Sequence, residues 1–516
     1  MLDAVDYAVL AGYVVVVLAI GVWSGRGQHT THDYFLGGRS MPWWAAGLSI
    51  IATETSALTF VGTPVQALRG DWTYLQLAFG SVLARFLVAR ILIETYYRAE
   101  VYTVYGYLGQ RFGALSRNVA SALFFIGRSL GSGVRLYAGA IALVVVAGMS
   151  FPLAIASISL LAVVYTIFGG IRSVIWTDVV QGTLIGISGS VALYYLVGLS
   201  GESFGELFGR VAAATTPTGY SKLRVLDLSL DPRTAYTLAA GLIGSTFLTL
   251  STHGTDQDMI QRSLTCREAK GGRYSLVFSA ILNIPIAALF LAVGSALWAN
   301  FGSDQAALAY ATDIAAKNGL APPEKGFEFI FPVYIMQTLP SGVRGIILAG
   351  LFSVSMSSLD SAIAALASTG VKNVWEPYVA PGRSEAYYLA VSRWMSVFFG
   401  VVMCGIAVLV WLSEDTGSAS TGFGVLMLGL KVLSWIFPPM LGMFLVGVLT
   451  TRGNDWGNVI ALAAGIGTLL IVDSWLALFG SPSPFAWSWN ALVGCAITFS
   501  VAVLFPARPE RRLTGG

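Results

Sequence analysis

Charged side chains are scarce in this chain. They make up 11% of its 516 residues, whereas hydrophobic residues make up 55%. About a quarter of the residues of a soluble globular protein are charged, so this composition excludes an ordinary water-soluble fold. The net charge is only +3, and we expect no nucleic-acid partner.

Cysteine is also rare, and several functional motifs are missing. Cys266, Cys404 and Cys495 are scattered without a CxxC pair, which excludes a disulfide framework and a cysteine-ligated metal site. The sequence has no GxxxxGK[ST] loop, so ATP is not indicated as an energy source. No nucleophile and base can be placed together, and we therefore expect no enzymatic activity. The segment 1–6 has two aspartates and no Lys or Arg, which favours a first membrane span over a cleaved signal peptide.

Long apolar blocks make up most of the chain. Blocks of about 20 residues can cross a hydrocarbon core of ~30 Å at ~1.5 Å per residue, and the 58 glycines suit closely packed membrane helices. We predict an all-α polytopic membrane protein with about 13 transmembrane helices. Their approximate ranges are 6–25, 43–63, 74–97, 118–147, 150–169, 176–198, 234–254, 274–300, 342–371, 387–412, 421–450, 457–477 and 487–505.

The distribution of Lys and Arg predicts the orientation. If the N-terminus lies outside, the short outer loops carry only Arg69, and the other outer basic residues lie in two long loops where the rule is weak. Arg262 is counted among the basic residues of the inner loops. We expect a multi-pass protein of the inner (cell) membrane, in contact with the lipid bilayer, with its N-terminus outside and its C-terminus in the cytoplasm.

A few basic residues lie deep inside predicted spans. A charge at the centre of a span costs roughly 2.5–3.5 kcal/mol unless it meets a partner or water. The deep residues are Arg85, Arg128, Arg135 and Lys431. Each of them calls for a structural or functional explanation.

The second predicted span contains four consecutive polar residues, Thr53 to Ser56, with Glu54 among them. This pattern predicts a locally unwound segment buried among helices, which would offer the carbonyls of Ala52 and Thr55 to a cation. The alternative is a regular helix whose hydroxyls bond to the preceding turn, with Glu54 protonated.

The ninth predicted span is rich in serine. Ser353, Ser357 and Ser361 recur every four residues and therefore share one helix face. Such a face suits either a hard cation such as Na⁺ or close helix packing. Asp360 favours the cation site, because a carboxylate inside a membrane is a functional candidate by default.

The seventh predicted span ends in a polar stretch, from Thr249 to Arg262, which predicts a second interrupted helix. His253 within it is interpreted as a satisfied buried histidine. Spans 2–6 and 7–11 are five each and run in opposite orientations, and each set opens with an interrupted helix. This arrangement predicts a five-plus-five inverted-repeat core.

Four ordered motifs resemble signatures of the sodium:solute symporter family, and they lie at residues 33–44, 165–181, 256–262 and 356–361. The resemblance runs from about residue 7 to 505 and implies one helix before the core and two after it. The domains expected from it are 1–40, a leading helix and inner loop; 41–198, the first repeat; 199–233, an outer loop; 234–452, the second repeat; and 453–516, two trailing helices and a cytoplasmic tail.

The resemblance also implies ion-binding residues, with sodium as the coupling ion. The main sodium site would use carbonyls and hydroxyls of Ala52, Thr55, Val354, Ser357 and Ser358. A second cation site would use Asp178, Asp360 and Ser361. For Asp178 the alternative is an ordinary carboxylate cap at the start of a helix.

The implied function is secondary active transport, in which inward sodium movement drives uptake of a small solute by alternating access. Side chains with which the family reads sugars are missing: their positions fall near Leu430 and Ala84. We therefore expect a carboxylate-bearing solute, an organic acid or an amino acid. The residues predicted to bind it are Glu54, Ser56, Arg135, Thr252 and Lys431.

Three alternatives stay open. The solute could be a sugar or another neutral molecule. Protons could replace sodium, with Glu54 and Asp360 titrating. A non-transporting membrane sensor could be built on the same scaffold. No obligatory protein partner is evident from the sequence.

Overall fold

The computed structural model describes residues 2–302, 309, 313, 327–415 and 421–507, and within these ranges the regular elements are helices. The helices of the first half are α1 (Ala4–Ser24), α2 (Thr31–Leu36), α3 (Trp43–Glu54), α4 (Ala57–Arg69), α5 (Gln76–Leu87), α6 (Ile93–Arg98), α7 (Val104–Arg111), α8 (Ala114–Ala147), α9 (Phe151–Ser200) and α10 (Phe204–Ala213). A π-helical turn at Val88–Leu92 joins α5 to α6.

The second half continues the same architecture. Its helices are α11 (Ser245–Thr255), α12 (Gln257–Leu264), α13 (Ala269–Phe301), α14 (Phe327–Thr338), α15 (Val343–Thr369), α16 (Glu385–Asp415), α17 (Thr421–Leu449), α18 (Asp455–Asp473), α19 (Trp475–Phe479) and α20 (Asn490–Leu504). Pro438 and Pro439 lie inside α17, so the chain forms one helix there, as predicted.

Helix α9 is too long for a single membrane crossing. Its 50 residues would extend for ~75 Å, more than twice the ~30 Å of a hydrocarbon core. Gly170 interrupts it with a φ of 51° and a ψ of −148°. A Cβ atom at this position would lie 2.5 Å from the carbonyl oxygen of Tyr34. Only glycine therefore fits the joint between the two arms of α9.

Among the described residues, nine helices are long and apolar enough to cross a membrane, or ten if the bent pair Trp43–Glu54 and Thr59–Arg69 is one crossing. The long apolar helices show a multi-pass membrane protein. The predicted total of thirteen crossings exceeds this number and stays a prediction.

Both predicted helix interruptions are present. Helices α3 and α4 are bent by 62° relative to each other, and Thr55 between them has an extended backbone with a ψ of 94°. Helices α11 and α12 are separated by Asp256, which is also extended and caps α12 by accepting a bond of 3.0 Å from the amide of Asp258. Each interruption places helix ends inside the bundle, where their terminal backbone groups have no partner within the helix itself.

Helix α15 lies at the centre of the bundle. Of the apolar window in its span, 94% is buried, against 22% for α1, and every residue from 347 to 371 is buried. The serine-rich face of α15 is therefore enclosed by other helices. This position makes its hydroxyls available to the interrupted helix α3–α4.

Candidate ion and solute site

The predicted main sodium ligands lie where α15 meets the end of α3. The hydroxyl of Ser357 donates to the carbonyl of Ala52 at 2.9 Å and to that of Val354 at 3.3 Å. The hydroxyl of Ser358 also donates to Val354 at 3.3 Å. The structure thus brings two carbonyls and two hydroxyls into one small, buried, oxygen-only cluster, which is the donor set that suits a hard cation.

Thr55 lies at the break itself, three residues beyond Ala52. It is buried and lines the cavity described below. Ser56 is also buried, and its hydroxyl lies 3.4 Å from that of Thr59. Ser56 does not belong to the residues that line the cavity, so the structure does not bring this predicted solute ligand to the solute pocket.

Asp178, predicted for the second cation site, is buried in the interior of α9 rather than capping a helix. Its Oδ2 atom accepts from the hydroxyl of Ser49 at 2.5 Å and pairs with the guanidinium of Arg262 at 3.4 Å. Its Oδ1 atom is buried without a hydrogen-bond partner among the described residues. The alternative of a helix cap is therefore wrong.

Asp360 and Ser361 complete this second cluster. Asp360 accepts a short hydrogen bond from the hydroxyl of Tyr165 and a bond of 3.0 Å from Ser361. Ser361 lies 3.0 Å from the hydroxyl of Thr53 on α3. The three residues predicted for the second site are thus joined through Thr53 and Arg262.

A cavity of about 410 Å³ begins at the break between α3 and α4. Glu54, Arg135 and Thr252 line it, so three of the predicted solute ligands face the same space. Tyr74 and Trp487 line it as well. Its volume falls within the usual range for small-molecule sites, ~300–1,000 Å³.

The carboxylate of Glu54 is already paired. It forms a short ion pair with Arg85, and the Nε2 atom of His253 lies 3.9 Å away. The Nδ1 atom of His253 lies 3.1 Å from the hydroxyl of Thr252. Its Nε2 atom is buried without a hydrogen-bond partner among the described residues, and His253 also lines the cavity. The interpretation of His253 as a satisfied histidine therefore fits its Nδ1 atom and not its Nε2 atom.

The deep arginines differ in how they are satisfied. Arg128 pairs with Asp256 at 3.0 Å and forms a short ion pair with Asp258. Arg135 lines the cavity, and its Nη1 atom is buried without a hydrogen-bond partner in the part of the chain that is described. The guanidinium of Arg135 thus faces the solute cavity with a donor, Nη1, that no described residue engages.

Lys431 lies elsewhere. Its side chain is 47% exposed and pairs with Asp473 of α18 at 2.9 Å, and it does not line the cavity. The prediction that Lys431 binds the solute does not fit this position. The residues of α17 that line the cavity are Leu433, Ser434, Phe437 and Pro438, because successive helix residues point in directions about 100° apart.

Known proteins share this sequence pattern and geometry. A family model described as the sodium:solute symporter family matches residues 34–465, which is most of the chain. The chain belongs to the sodium:solute symporter family.

Individual members of the family align with nearly the whole chain. The sodium/sialic acid symporter of Proteus mirabilis is 29% identical, over 90% of this chain and 88% of its own length. The sodium/glucose cotransporter of Vibrio parahaemolyticus is 27% identical, over 90% of this chain and 84% of its own length. A solved structure of a Na⁺-coupled sialic acid symporter in a substrate-bound outward-open state superimposes with a TM-score of 0.84 at 25% identity, over 98% of this chain and all of that one.

Membership of the sodium:solute symporter family establishes the class of activity. The protein is a multi-pass, sodium-coupled solute transporter with sodium as its coupling ion, and the proteins to which it is similar are transporters rather than enzymes. These relatives differ in the solutes that their names give, so membership leaves the solute open.

Sequence reasoning missed one residue of the second cluster. The distribution of basic residues places Arg262 in an inner loop, whereas in the structure its side chain is 1% exposed and contacts Asp178. The signal that could have found it is the spacing of Asp258 and Arg262, four residues apart on a short helix. Such a pair can reach one another and, together, an acidic partner.

Proposed function

We propose that the protein takes up a small carboxylate-bearing solute, an organic acid or an amino acid, together with sodium. The observation that carries this proposal is the Nη1 atom of Arg135 in the cavity wall, which has no hydrogen-bond partner within the described ranges. A guanidinium offers a planar pair of donors that matches a carboxylate. A buried donor without a partner is costly, and a solute carboxylate would remove that cost.

The state of Glu54 supports the same solute class. Arg85 already neutralises its charge, so Glu54 does not compete for Arg135. The carboxylate side chain is still 29% exposed and lines the cavity, where it can accept a hydrogen bond from an amino group. Thr252 and His253 add polar groups to the same wall. An amino acid therefore fits the wall as well as a simple organic acid does.

Sodium is proposed to bind at the cluster of Ala52, Thr55, Val354, Ser357 and Ser358. Its support is the convergence of carbonyl and hydroxyl oxygens from α3 and α15. Asp178, Asp360 and Ser361 are proposed as a second cation-binding cluster. Both clusters join the interrupted helix α3–α4 to α15, so a bound ion would hold these elements together.

The transport cycle is proposed to be alternating access of a five-plus-five core with thirteen crossings in total, the N-terminus outside and the C-terminus in the cytoplasm of an inner membrane. The first repeat is 41–198 and the second is 234–452, with 1–40, 199–233 and 453–516 outside the core. The two interruptions, between α3 and α4 and between α11 and α12, support this division. The membrane potential contributes ~2.3 kcal/mol per 100 mV for each sodium charge that moves inward.

A matched solute screen tests the proposal. The purified protein is reconstituted in liposomes, and uptake is measured with and without a sodium gradient for organic acids, amino acids and sugars. We expect sodium-driven uptake of a carboxylate solute and none of its amide. Sodium-driven uptake of a neutral sugar with no response to any acid would overturn the solute class. Uptake driven by a pH gradient alone, without sodium, would overturn sodium coupling.

A further inference from the structure

The guanidinium of Arg262 occupies the middle of the second cation-binding cluster. Arg262 lies on α12, the short helix that follows the break at Asp256. Its Nε atom donates to the hydroxyl of Ser49 at 2.7 Å. Its Nη2 atom donates to Thr53 at 2.6 Å, reaches Asp178 at 3.4 Å and makes a short bond to Ser361. These contacts fix the guanidinium against α3, α9 and α15 together.

The remaining nitrogen of Arg262 faces its own helix. Its Nη1 atom lies 3.1 Å from the carboxylate of Asp258 and makes a short bond to the carbonyl of the same residue. Asp258 also forms an ion pair with Arg128. Because Arg128 pairs with Asp256 as well, Arg262 offsets the charge of Asp178 and shares that of Asp258 with Arg128.

Two cations cannot share this cluster at close range. The Oδ2 atom of Asp178 and the hydroxyl of Ser361 are the atoms to which a second sodium would bind, and both are hydrogen-bonded to Arg262. The Oδ1 atom of Asp178 is buried and has no partner in the described chain. A free carboxylate oxygen in a dry interior attracts a cation, so the cluster keeps a point at which an arriving sodium ion can begin to displace the guanidinium.

We propose that Arg262 is a tethered cation that competes with sodium for Asp178 and Ser361. The inference rests on the proposed sodium-coupled function and adds the identity of the competitor. When the guanidinium of Arg262 occupies the cluster, its hydrogen bonds connect α12 to α3, α9 and α15. When sodium takes its place, those ties are lost, and α12 keeps its other contacts, such as the ion pair with Arg128 and the bond of 2.7 Å from Gln261 to the carbonyl of Phe35. Occupancy of the second cluster and the position of α12 are then thermodynamically linked.

Radioactive-sodium binding to purified protein tests the competition. The measurements use a Ser358→Ala background, which weakens the main sodium site and reveals the second one. Because a positive charge within a few ångströms opposes a second cation, we expect Arg262→Gln to raise the remaining sodium affinity by about tenfold or more. Adding Asp178→Asn to the Arg262→Gln variant should remove this increase in sodium affinity. Free methylguanidinium ion should compete with sodium in Arg262→Ala, since it can enter the space that the side chain has left.

The matched control is Arg128→Gln combined with Asp256→Asn, because Arg128 pairs with Asp256 and Asp258, whereas Asp178 pairs with Arg262. It should not raise sodium affinity. Arg262→Lys keeps the positive charge on a side chain that offers fewer hydrogen bonds, and it should give an intermediate affinity for sodium. Unchanged sodium affinity in folded Arg262→Gln or Arg262→Lys, or an equal gain in Arg128→Gln/Asp256→Asn, would overturn the proposal. If the wild-type protein binds no sodium at all, the proposed function itself fails.

Discussion

The carboxylate of Glu54 and the guanidinium of Arg85 form an ion pair at the wall of the solute cavity. The side chain of Arg85 is fully buried, whereas that of Glu54 is 29% exposed. Arg85 also donates to the hydroxyl of Ser279 at 3.0 Å. Helices α3, α5 and α13 therefore meet at one buried charge pair.

The first prediction concerns this pair. Arg85→Met should lower the melting temperature of the purified protein, because it leaves the carboxylate of Glu54 without its cation, and breaking a buried pair costs up to about 3–5 kcal/mol. Glu54→Gln/Arg85→Met should recover part of the loss, since no charge is then left alone. A double variant that is less stable than Arg85→Met would contradict this account.

The second prediction concerns the main sodium cluster. Ser358→Ala removes a hydroxyl ligand, and we expect the sodium concentration for half-maximal uptake to rise severalfold with membrane insertion intact. Ser357→Ala should act in the same direction. Ser368→Ala is the matched control, because this buried hydroxyl of α15 donates to the carbonyl of Ala365 in its own helix and has no other partner among the described residues. Equal sodium dependence in all three variants would exclude the site.

The third prediction concerns recognition of the solute. Arg135→Lys keeps the positive charge and loses the two-pronged geometry. We expect a large loss of affinity for an acid solute, measured by uptake competition, with an unchanged melting temperature. Lys431→Gln, which alters the pair with Asp473 outside the cavity, should leave the affinity near that of the wild type. Full-rate transport of a neutral sugar by Arg135→Lys would show that the solute needs no carboxylate partner here.

The fourth prediction uses Cys266, which follows α12 and is 1% exposed. Met41 donates its amide to the carbonyl of Thr265 at 3.1 Å, and this bond ties the residue before Cys266 to the segment that precedes α3. In a Cys404→Ser/Cys495→Ser background, a membrane-permeant maleimide should label Cys266 slowly in sodium alone. Labelling should accelerate severalfold during transport, when α12 moves. A rate that is the same with and without solute would mean that α12 stays in place.

The fifth prediction concerns Lys222 in the segment that follows α10. Its ammonium group donates to the carbonyls of Leu68 and Gly70 at the end of α4, at 3.1 and 2.9 Å. Burial lowers the pKa of Lys222 from 10.5 to about 8. The unfolded chain therefore holds more protons between these two values, so Lys222 makes the protein more stable as the pH rises through this window.

Lys222→Met removes this dependence. Melting temperatures of both proteins are measured from about pH 7 to about pH 10. The melting temperature of the wild type should increase relative to that of the variant as the pH rises. A difference that stays constant over this range would show that the pKa of Lys222 is not lowered by burial.

The sequence determined the local elements of this protein. The polar run from Thr53 to Ser56 predicted the break between α3 and α4, because hydroxyls and a carboxylate cannot face lipid on every side of a helix. The four-residue spacing of Ser353, Ser357 and Ser361 predicted a shared face. The order of the motifs predicted the family, which the family model confirms. These features depend on neighbours within a few turns and can be read along the chain.

The tertiary structure decided which charges meet. Arg85 pairs with Glu54, 31 positions away, and Arg262 reaches Asp178, 84 positions away. Lys431 faces Asp473 rather than the cavity. A change of one residue turns a side chain by about 100° around its helix, so the partner of a buried charge depends on how whole helices rotate and cross. For that reason the sequence supplied Arg85, Arg128 and Arg135 as buried candidates. Only the packed bundle showed that Arg135 has a donor without a partner among the described residues and that Arg262 fills the second cluster.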